Sequence, residues 1–559
     1  MSRADRVDTA RAVVVAVAVV ALLALLARLV GLGDRPFHWD EARVGVWALR
    51  FARTGAFEYR PVAGGPLPYH LARASFALFG ATDAAARLPV ALVGGLLPLS
   101  ALGLRGRLRD TETVLLAAVL AVSPPLLYYS RVLRGDLLLA AAAFSACVLV
   151  VSAVDTGRRG FAYAAVVAVA AAVAASGFVV ATVACVSGAA VVVYGPHRVS
   201  VGSVAGLVDR LRDRSTLLAR LFVLFVVAVV VLFAPRGGGV SLWNPASLPG
   251  VLQFVFDEAP TRFFSVRLAT RYDDGATHPL LPFVVSLGRT LLVAALPSVV
   301  LGIGGSLHER YAGDDRGVVV FFAVWAALAA LVFPAVAEVD APWTAVHVVV
   351  PLAVPTAVGA GRGYSYARRV VTRADAPAVA AVLLVVVAGV AQVGGVLADD
   401  VYGESTPDDA LAQYAQPADD LEPFAANVSA TDGDPTVLYY GDRFHTARWS
   451  EADGPPVPPG WGARLPLPWY VAREGGTATS LPSDAAVPEA PPPVVVTEPT
   501  LADSVGARLS GYERSRYRLG LWNREVVVFV RSSSVESELP PRSRPNSRQR
   551  KPIASICSW

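Results

Sequence analysis

The stretch FHWDEARVG, residues 37–45, follows closely on an apolar run at 12–32. A helix needs about 20 apolar residues to cross the hydrocarbon core, so the run places an imidazole, an indole and two carboxylates at a membrane boundary. No small-residue cleavage site closes the run, which therefore reads as an anchor rather than a removed signal. Asp40 precedes a helix-like segment, 41–54, that ends at Gly55. Val44, Trp47 and Phe51 form its apolar stripe while Arg43, Arg50 and Arg53 lie off it, the pattern of a helix lying in the interface. Read plainly, Asp40 is the N-cap and Glu41 favours the positive helix end. Read chemically, the same pair is a candidate general base and its neighbour.

The rest of the chain supports a membrane setting. Its 559 residues are 54% hydrophobic and only 17% charged, too apolar for an ordinary soluble enzyme. Further low-charge runs lie near 88–104, 113–128, 137–154, 161–176, 177–194, 219–234, 283–305, 317–336, 345–361 and 377–398. Arginines in alternate loops (the N-terminus, 105–109, 157–159, 198–214 and 361–373) then fall on one side. By the positive-inside rule that side is cytoplasmic, which predicts eleven crossings and a C-terminal region outside the cell. The opposite face receives the loops 34–86, 129–136, 235–282 and 337–344 and everything after 398.

Several chemistry-bearing residues share that outer face. YYSRVLRGD (128–136) carries Arg131 and Arg134, three residues apart, with Asp136 close behind. A guanidinium pair binds phosphate through charge-assisted hydrogen bonds, a reason to keep arginine on the disfavoured side of a membrane; the plainer reading is snorkelling to headgroups. Arg289 sits well inside a predicted span, where lipid exposure costs about 2.5–3.5 kcal/mol. In EYRPVAGGPLPYHL (58–71), Tyr59 and Tyr69 suit an aromatic belt, and with His70 they are also candidates for a substrate pocket. His38, Trp39, His278, Trp343 and His347 complete that set. Asp40 with Asp136 offers oxygen ligands for a divalent cation, although nothing in the spacing requires one.

Cys147, Cys185 and Cys557 suggest neither a disulfide framework nor a thiolate metal site, and no P-loop, GxGxxG or HExxH pattern occurs. Between 399 and 530 the acids outnumber arginine about two to one, so the overall basic balance gives no support for nucleic-acid binding. Residues 399–531 read as a small α/β domain with a helix-like stretch at 408–428 and strands at 436–440, 492–496 and 524–531. Residues 532–559, rich in Ser, Pro and Arg, read as a disordered tail.

Taken together, FHWDEARVG, EYRPVAGGPLPYHL, YYSRVLRGD and APWTAVHVVVPLAVPTAVG (341–359) resemble the GT-C glycosyltransferases. More closely, these stretches resemble an archaeal subfamily named for association with lipid-linked-sugar flippase activity in N-glycosylation. At Gly64 and Gly135 the sequence departs from that pattern, which has histidine and asparagine there. The resemblance implies a polytopic helical membrane protein with an extracytoplasmic α/β domain. It also implies transfer of a sugar from a polyprenyl-phosphate donor to a glycan or protein acceptor, in contact with membrane lipid and with proteins of a glycosylation pathway. Asp40 would be the base, Glu41 would orient the acceptor, and Arg131, Arg134 and Arg289 would hold the donor phosphate. Two rivals stand beside it: a non-catalytic protein that helps move lipid-linked sugars, and a membrane-anchored scaffold with a binding ectodomain.

Overall fold

The computed structural model describes residues 3–59, 64–195, 212, 214–264, 279–314, 316–447, 458–522 and 524–532. The expected pocket residue His278, the arginines at 198–210 and the tail beyond 532 lie outside the described residues.

The chain opens with α1 (Arg3–Leu29) and, after a turn, α2 (Trp39–Thr54). The N-cap of α2 is His38, not Asp40 as expected. Its Nδ1 accepts the Asp40 amide at 3.0 Å, and Glu41 Oε2 accepts the His38 amide in return at 3.0 Å, so two orphan donors are satisfied reciprocally. Freed from capping, the Asp40 carboxylate points elsewhere. The helix stops at Gly55, whose φ of 71° suits a residue without a β-carbon.

Next come α3 (Leu67–Phe79), α4 (Asp83–Leu96, prolonged by a 3-10 turn to Leu104), α5 (Asp110–Val122) and α6 (Pro124–Tyr129). The expected span at 113–128 is thus two pieces. Pro124 and Pro125 follow Ser123 there, and a proline cannot continue the preceding turn. The bundle continues with α7 (Gly135–Thr156), α8 (Arg159–Ala175), α9 (Val179–Tyr194), α10 (Ser215–Phe233), α11 (Leu280–Ala294), α12 (Leu296–Tyr311), α13 (Gly317–Val336), α14 (Ala345–Thr372) and α15 (Ala376–Val396). The protein is a multi-pass membrane protein. Among the described residues, seven helices are long and apolar enough to cross a bilayer, or eight if α11 and α12, bent by 98°, form one broken span. The apolar helices α8 and α9 are shorter, so length alone does not reproduce the eleven crossings expected.

At the centre lies α14, on which most residues from Ala345 to Val358 are buried. Its Gly359 meets α12 backbone to backbone: a β-carbon there would fall 2.1 Å from the Leu301 carbonyl, and one on Gly305 would fall 2.0 Å from that of Pro355. Small residues at such crossings let helices approach where lipid supplies no hydrophobic drive.

The C-terminal domain holds a five-stranded sheet of order β2-β1-β3-β5-β4. Its strands are β1 (Val437–Tyr440), β2 (Ala478–Leu481), β3 (Val494–Thr497), β4 (Tyr512–Arg518) and β5 (Glu525–Arg531). β1 pairs in parallel with β2 and β3, whereas β5 is antiparallel to β3 and β4. Successive strand residues face opposite ways, which divides the sheet between two cores. Val437, Tyr439, Val494 and Val496 join the cluster that also contains the membrane helices, while Leu438, Tyr440 and Val495 join a small cluster of the domain's own.

The expected helix at 408–428 is confined to α16 (Glu422–Ser429). Upstream, backbone groups are spent on the membrane domain: Leu411 N–H donates to Asp400 Oδ2 at 2.9 Å and the Leu411 carbonyl accepts from the Tyr129 hydroxyl at 2.6 Å. A further helix, α17 (Leu467–Arg473), brings Trp469 and Tyr470 down onto α2 and α4.

Candidate active site

Glu41 fixes the frame of the site. Its carboxylate, 1% exposed, accepts from Arg87 Nε and Nη2 at 2.8 and 2.7 Å. It also accepts the Leu133 amide at 2.6 Å, which ties the start of α2 to the turn before α7. Burial alone would raise its pKa; the Arg87 guanidinium beside it overrides that and lowers it. The same guanidinium bonds the carbonyls of Leu32, Arg35 and Pro36 at 2.7–3.3 Å. Glu41 is therefore fully engaged within the protein.

Asp40 faces the other way, where it pairs with Arg134 Nη1. Arg134 Nε in turn donates to Asp136 Oδ2 at 2.9 Å, and the Trp343 ring lies 3.6 Å from Arg134 Cζ. Behind Asp136, His347 Nε2 stands 3.6 Å from Oδ1, its ring stacked at 4.0 Å on Phe333. Among the described residues, neither Asp136 Oδ1 nor His347 Nε2 has a hydrogen-bond partner within 3.5 Å, the two atoms facing each other just beyond that distance. Burial pushes Asp40 up, but the charges of Arg134, Arg43 and His38 prevail and hold it down to about 2. His38 is lowered to about 4 by burial. Since its Nδ1 accepts from Asp40 N, the proton of the neutral ring belongs on Nε2.

Asp40, Arg134, Asp136 and Trp343 open on a cavity of about 270 Å3 that is also lined by Trp39, Arg43, Phe178, Gln413 and Tyr414. Two of those come from the C-terminal domain, a contribution that no local motif in the sequence signals. Gln413 is 7% exposed. On the far wall, a β-carbon on Gly135 would carry 2.0 Å from the Ala175 carbonyl and one on Gly65 2.1 Å from that of Ala174. The end of α8 thus fills the space that the asparagine expected at 135 would need.

Beside this cavity an apolar groove of about 800 Å3 runs along α7. Leu67, Leu97, Leu138, Ala142, Leu149 and Phe161 are among its walls. Leu67 immediately precedes Pro68 and Leu138 lies two residues beyond Asp136, and Pro68 and Asp136 both line the polar cavity.

Other expected residues lie elsewhere. Arg131 turns away from Arg134 to bond the carbonyls of Val30 at 2.6 Å and Gly31 at 2.9 Å, with Tyr402 stacked on it at 4.6 Å. It closes the C-terminal end of α1. His70 Nε2 is 2.8 Å from the Leu232 carbonyl and 3.1 Å from Arg236 Nη1, and Tyr59 packs on Phe233 at 5.0 Å; both belong to a separate cluster around the end of α10. Tyr69 is buried near Asp40 and Arg43, whereas Arg289 is exposed on α11 and does not line the cavity. Arg28 is a buried arginine within α1 that sequence reading missed, bonded to the carbonyls of Ala24, Leu120 and Ala121. For the expected cation, Arg134 occupies the place between Asp40 and Asp136, and no cluster of three ligating side chains exists among the described residues. The residues as arranged do not fit a metal.

Comparison with known proteins accords with this architecture. Residues 61–235 match the profile of dolichyl-phosphate-mannose-protein mannosyltransferase. Over 93% of this chain and 98% of the other, the structure is similar to apo ArnT from Cupriavidus metallidurans, with 15% identity and a TM-score of 0.57. The same protein bound to undecaprenyl phosphate gives 15% identity and 0.56 over the same shares, 93% and 98%. The apo oligosaccharyltransferase of Archaeoglobus fulgidus is similar over 91% of this chain and 75% of its own, at 15% identity and 0.49. No curated protein matches. The chain has the GT-C fold of membrane glycosyltransferases. Residues 419–531 match the profile of the Agl23 flippase-associated protein C-terminal domain.

Proposed function

We propose that the protein transfers a sugar from a polyprenyl-phosphate donor to an acceptor hydroxyl at the face bearing the C-terminal domain, outside the cell. The observation that carries this reading is the linked row Asp40, Arg134 and Asp136 beside an apolar groove along α7. The polyprenyl chain lies in the groove and its phosphate meets Arg134, whose stack on Trp343 leaves a guanidinium edge for oxygen. As the glycosidic carbon–oxygen bond breaks, the bonding pair leaves with the phosphate and Arg134 neutralises the growing charge. The acceptor oxygen forms the new bond and its proton passes to Asp40.

This assignment contains its own switch. With Arg134 bound to it, Asp40 is too weak a base; a phosphate that draws Arg134 away returns the carboxylate toward a buried, more basic state. Base strength then rises only when donor is present. Glu41 and Asp136 act as positioning residues, Glu41 through Leu133 and Asp136 through Arg134.

The test is sugar transfer in membranes supplied with polyprenyl-phosphate sugar. Asp40→Asn is expected to abolish product at unchanged protein abundance, and unchanged product would refute the base assignment. The match of residues 419–531 to a flippase-associated domain favours a second reading, movement of a lipid-linked sugar across the bilayer. Vesicles that move donor without forming product would establish that reading in place of the first.

A further inference from the structure

The end of α2 remote from Asp40 borders a second cavity, of about 550 Å3, lined by Leu49, Ala52, Arg53, Arg73, Ala77 and Arg473 among others. Its apolar lining is mostly alanine, with Leu49 and Phe76, and its charges are all positive. Arg473 is already neutralised, by Asp83 at 3.1 Å and by Glu422 and Glu474 at 2.8 Å each. Arg53 and Arg73 are different. Both are exposed, and their contacts are a 3.5 Å approach of Arg53 Nη2 to the Arg473 carbonyl and a stack of Arg73 on Phe51 at 4.5 Å. Among the described residues no carboxylate comes within the 4.0 Å of an ion pair with either. On the same Phe51 ring, Arg236 adds a third positive charge at 6.0 Å.

The surroundings identify a membrane boundary. Leu78 and Phe79 close α3 with 76% and 61% of their surface exposed, and Asp83 begins the next span four residues later. Exposed large apolar side chains at such a level belong against acyl chains. Thirteen residues of helix separate Asp40 from Arg53, roughly 20 Å at 1.5 Å per residue. One phosphate therefore does not serve both places.

We propose that this cavity binds the phosphate headgroup of an anionic membrane lipid, held by Arg53 and Arg73 with its chains against Leu78 and Phe79. Two uncompensated guanidinium groups at the boundary gain from a phosphate, which accepts paired charge-assisted bonds. The lipid fixes the α2–α3 hairpin from the end opposite the polar cavity. This site stands independently of the sugar-transfer reading.

The experiment reconstitutes the full chain in nanodiscs of phosphatidylcholine containing a minor fraction of phosphatidylglycerol and measures lipid retained by native mass spectrometry. Wild-type protein is expected to enrich phosphatidylglycerol about tenfold, the equivalent of about 1.4 kcal/mol, and Arg53→Gln/Arg73→Gln to lose that enrichment at an unchanged melting temperature. Arg53→Lys/Arg73→Lys, which keeps the charge, should retain part of it, and Ala77→Trp, which fills the cavity, should lose it. Equal enrichment in wild type and the double glutamine variant overturns the proposal. So does displacement of the lipid by millimolar inorganic phosphate, which would make this a free-phosphate site. Should the glutamine variant unfold, the outcome rests on Ala77→Trp, and enrichment that survives it refutes the assignment.

Discussion

Gly45 of the interfacial helix and Trp469 of the C-terminal domain are in direct contact: a β-carbon on Gly45 would lie 2.9 Å from Trp469 Cε3 and 2.9 Å from Phe37 Cε1. The indole stacks on Phe37 at 4.7 Å, and its Nε1 donates to Asp83 Oδ1 at 2.7 Å. Asp83 also receives Tyr470 and Arg473, at 3.3 and 3.1 Å. One carboxylate and one missing methyl group thus seat the C-terminal domain on the helix that carries Asp40.

Gly45→Ala is therefore expected to destabilise the protein by about 1–3 kcal/mol through overpacking. Gly160→Ala, at a position with nothing within 4 Å of the added carbon, should be neutral or slightly stabilising. Thermal unfolding in detergent distinguishes them, and equal melting temperatures would show that the interdomain contact is looser than the packing implies.

The two arginines of SRVLRGD should separate cleanly. Arg134→Gln removes the partner of Asp40 and Asp136, and donor turnover should fall by about 10²–10³-fold, the loss typical of one transition-state charge contact. Arg131→Gln should leave turnover nearly intact but cost about 1–3 kcal/mol of stability, because its bonds go to the carbonyls closing α1. Steady-state kinetics and unfolding on both variants provide the comparison. Loss of turnover in both with stability unchanged would restore the paired clamp.

Acid should weaken the fold in two steps. His38, lowered to about 4 from 6.5 by burial, takes up its proton near pH 6.5 when unfolded but only near 4 when folded. Its contribution is complete above pH 6.5 and is lost as pH falls through that window, on the order of 3 kcal/mol at the acid end. His70, also lowered to about 4 with burial as the main cause, adds in the same window. Asp40, held down to about 2 from 3.8 by its cationic neighbours against burial, contributes above pH 3.8 and loses that contribution between there and pH 2. In melting temperature against pH, His38→Asn keeps an N-cap and should shrink the upper step to the part that His70 contributes, whereas Asp40→Asn should flatten the lower. A wild-type profile flat between pH 6.5 and 4 would contradict this.

Ala142→Trp places an indole in the groove along α7. Transfer from a long-chain polyprenyl donor should fall at least tenfold, mainly through KM, while a donor carrying a short prenyl chain should be used as before. Equal loss with both donors would mean that the groove does not hold the chain.

How far the sequence could be read follows from which signals are local. The helix from Asp40 to Gly55, the three strands of highest valine content and the helical membrane class all rest on periodicity and turn residues close in sequence. The capping role was misassigned because a histidine ring takes it only when the Glu41 side chain turns back to close the box. Arg131 and Arg134 looked like a pair because three residues join them on a helix; their segment is a turn, and the side chains diverge. Arg28 finds its carbonyl partners some 90 residues along the chain, and the partner of Arg87 is 46 residues back at Glu41. Such pairings carry no local spacing. β4 was missed because its outward residues are charged, as suits an edge strand.

The wall that Gln413 and Tyr414 add to the polar cavity, and the seat that Trp469 makes on Gly45, lie beyond the last membrane helix in the order of synthesis. A ribosome that has delivered only α1 to α15 has made the carboxylates and guanidinium groups but not their enclosure. The cavity is therefore closed late, only once the distal domain has been translated and docked.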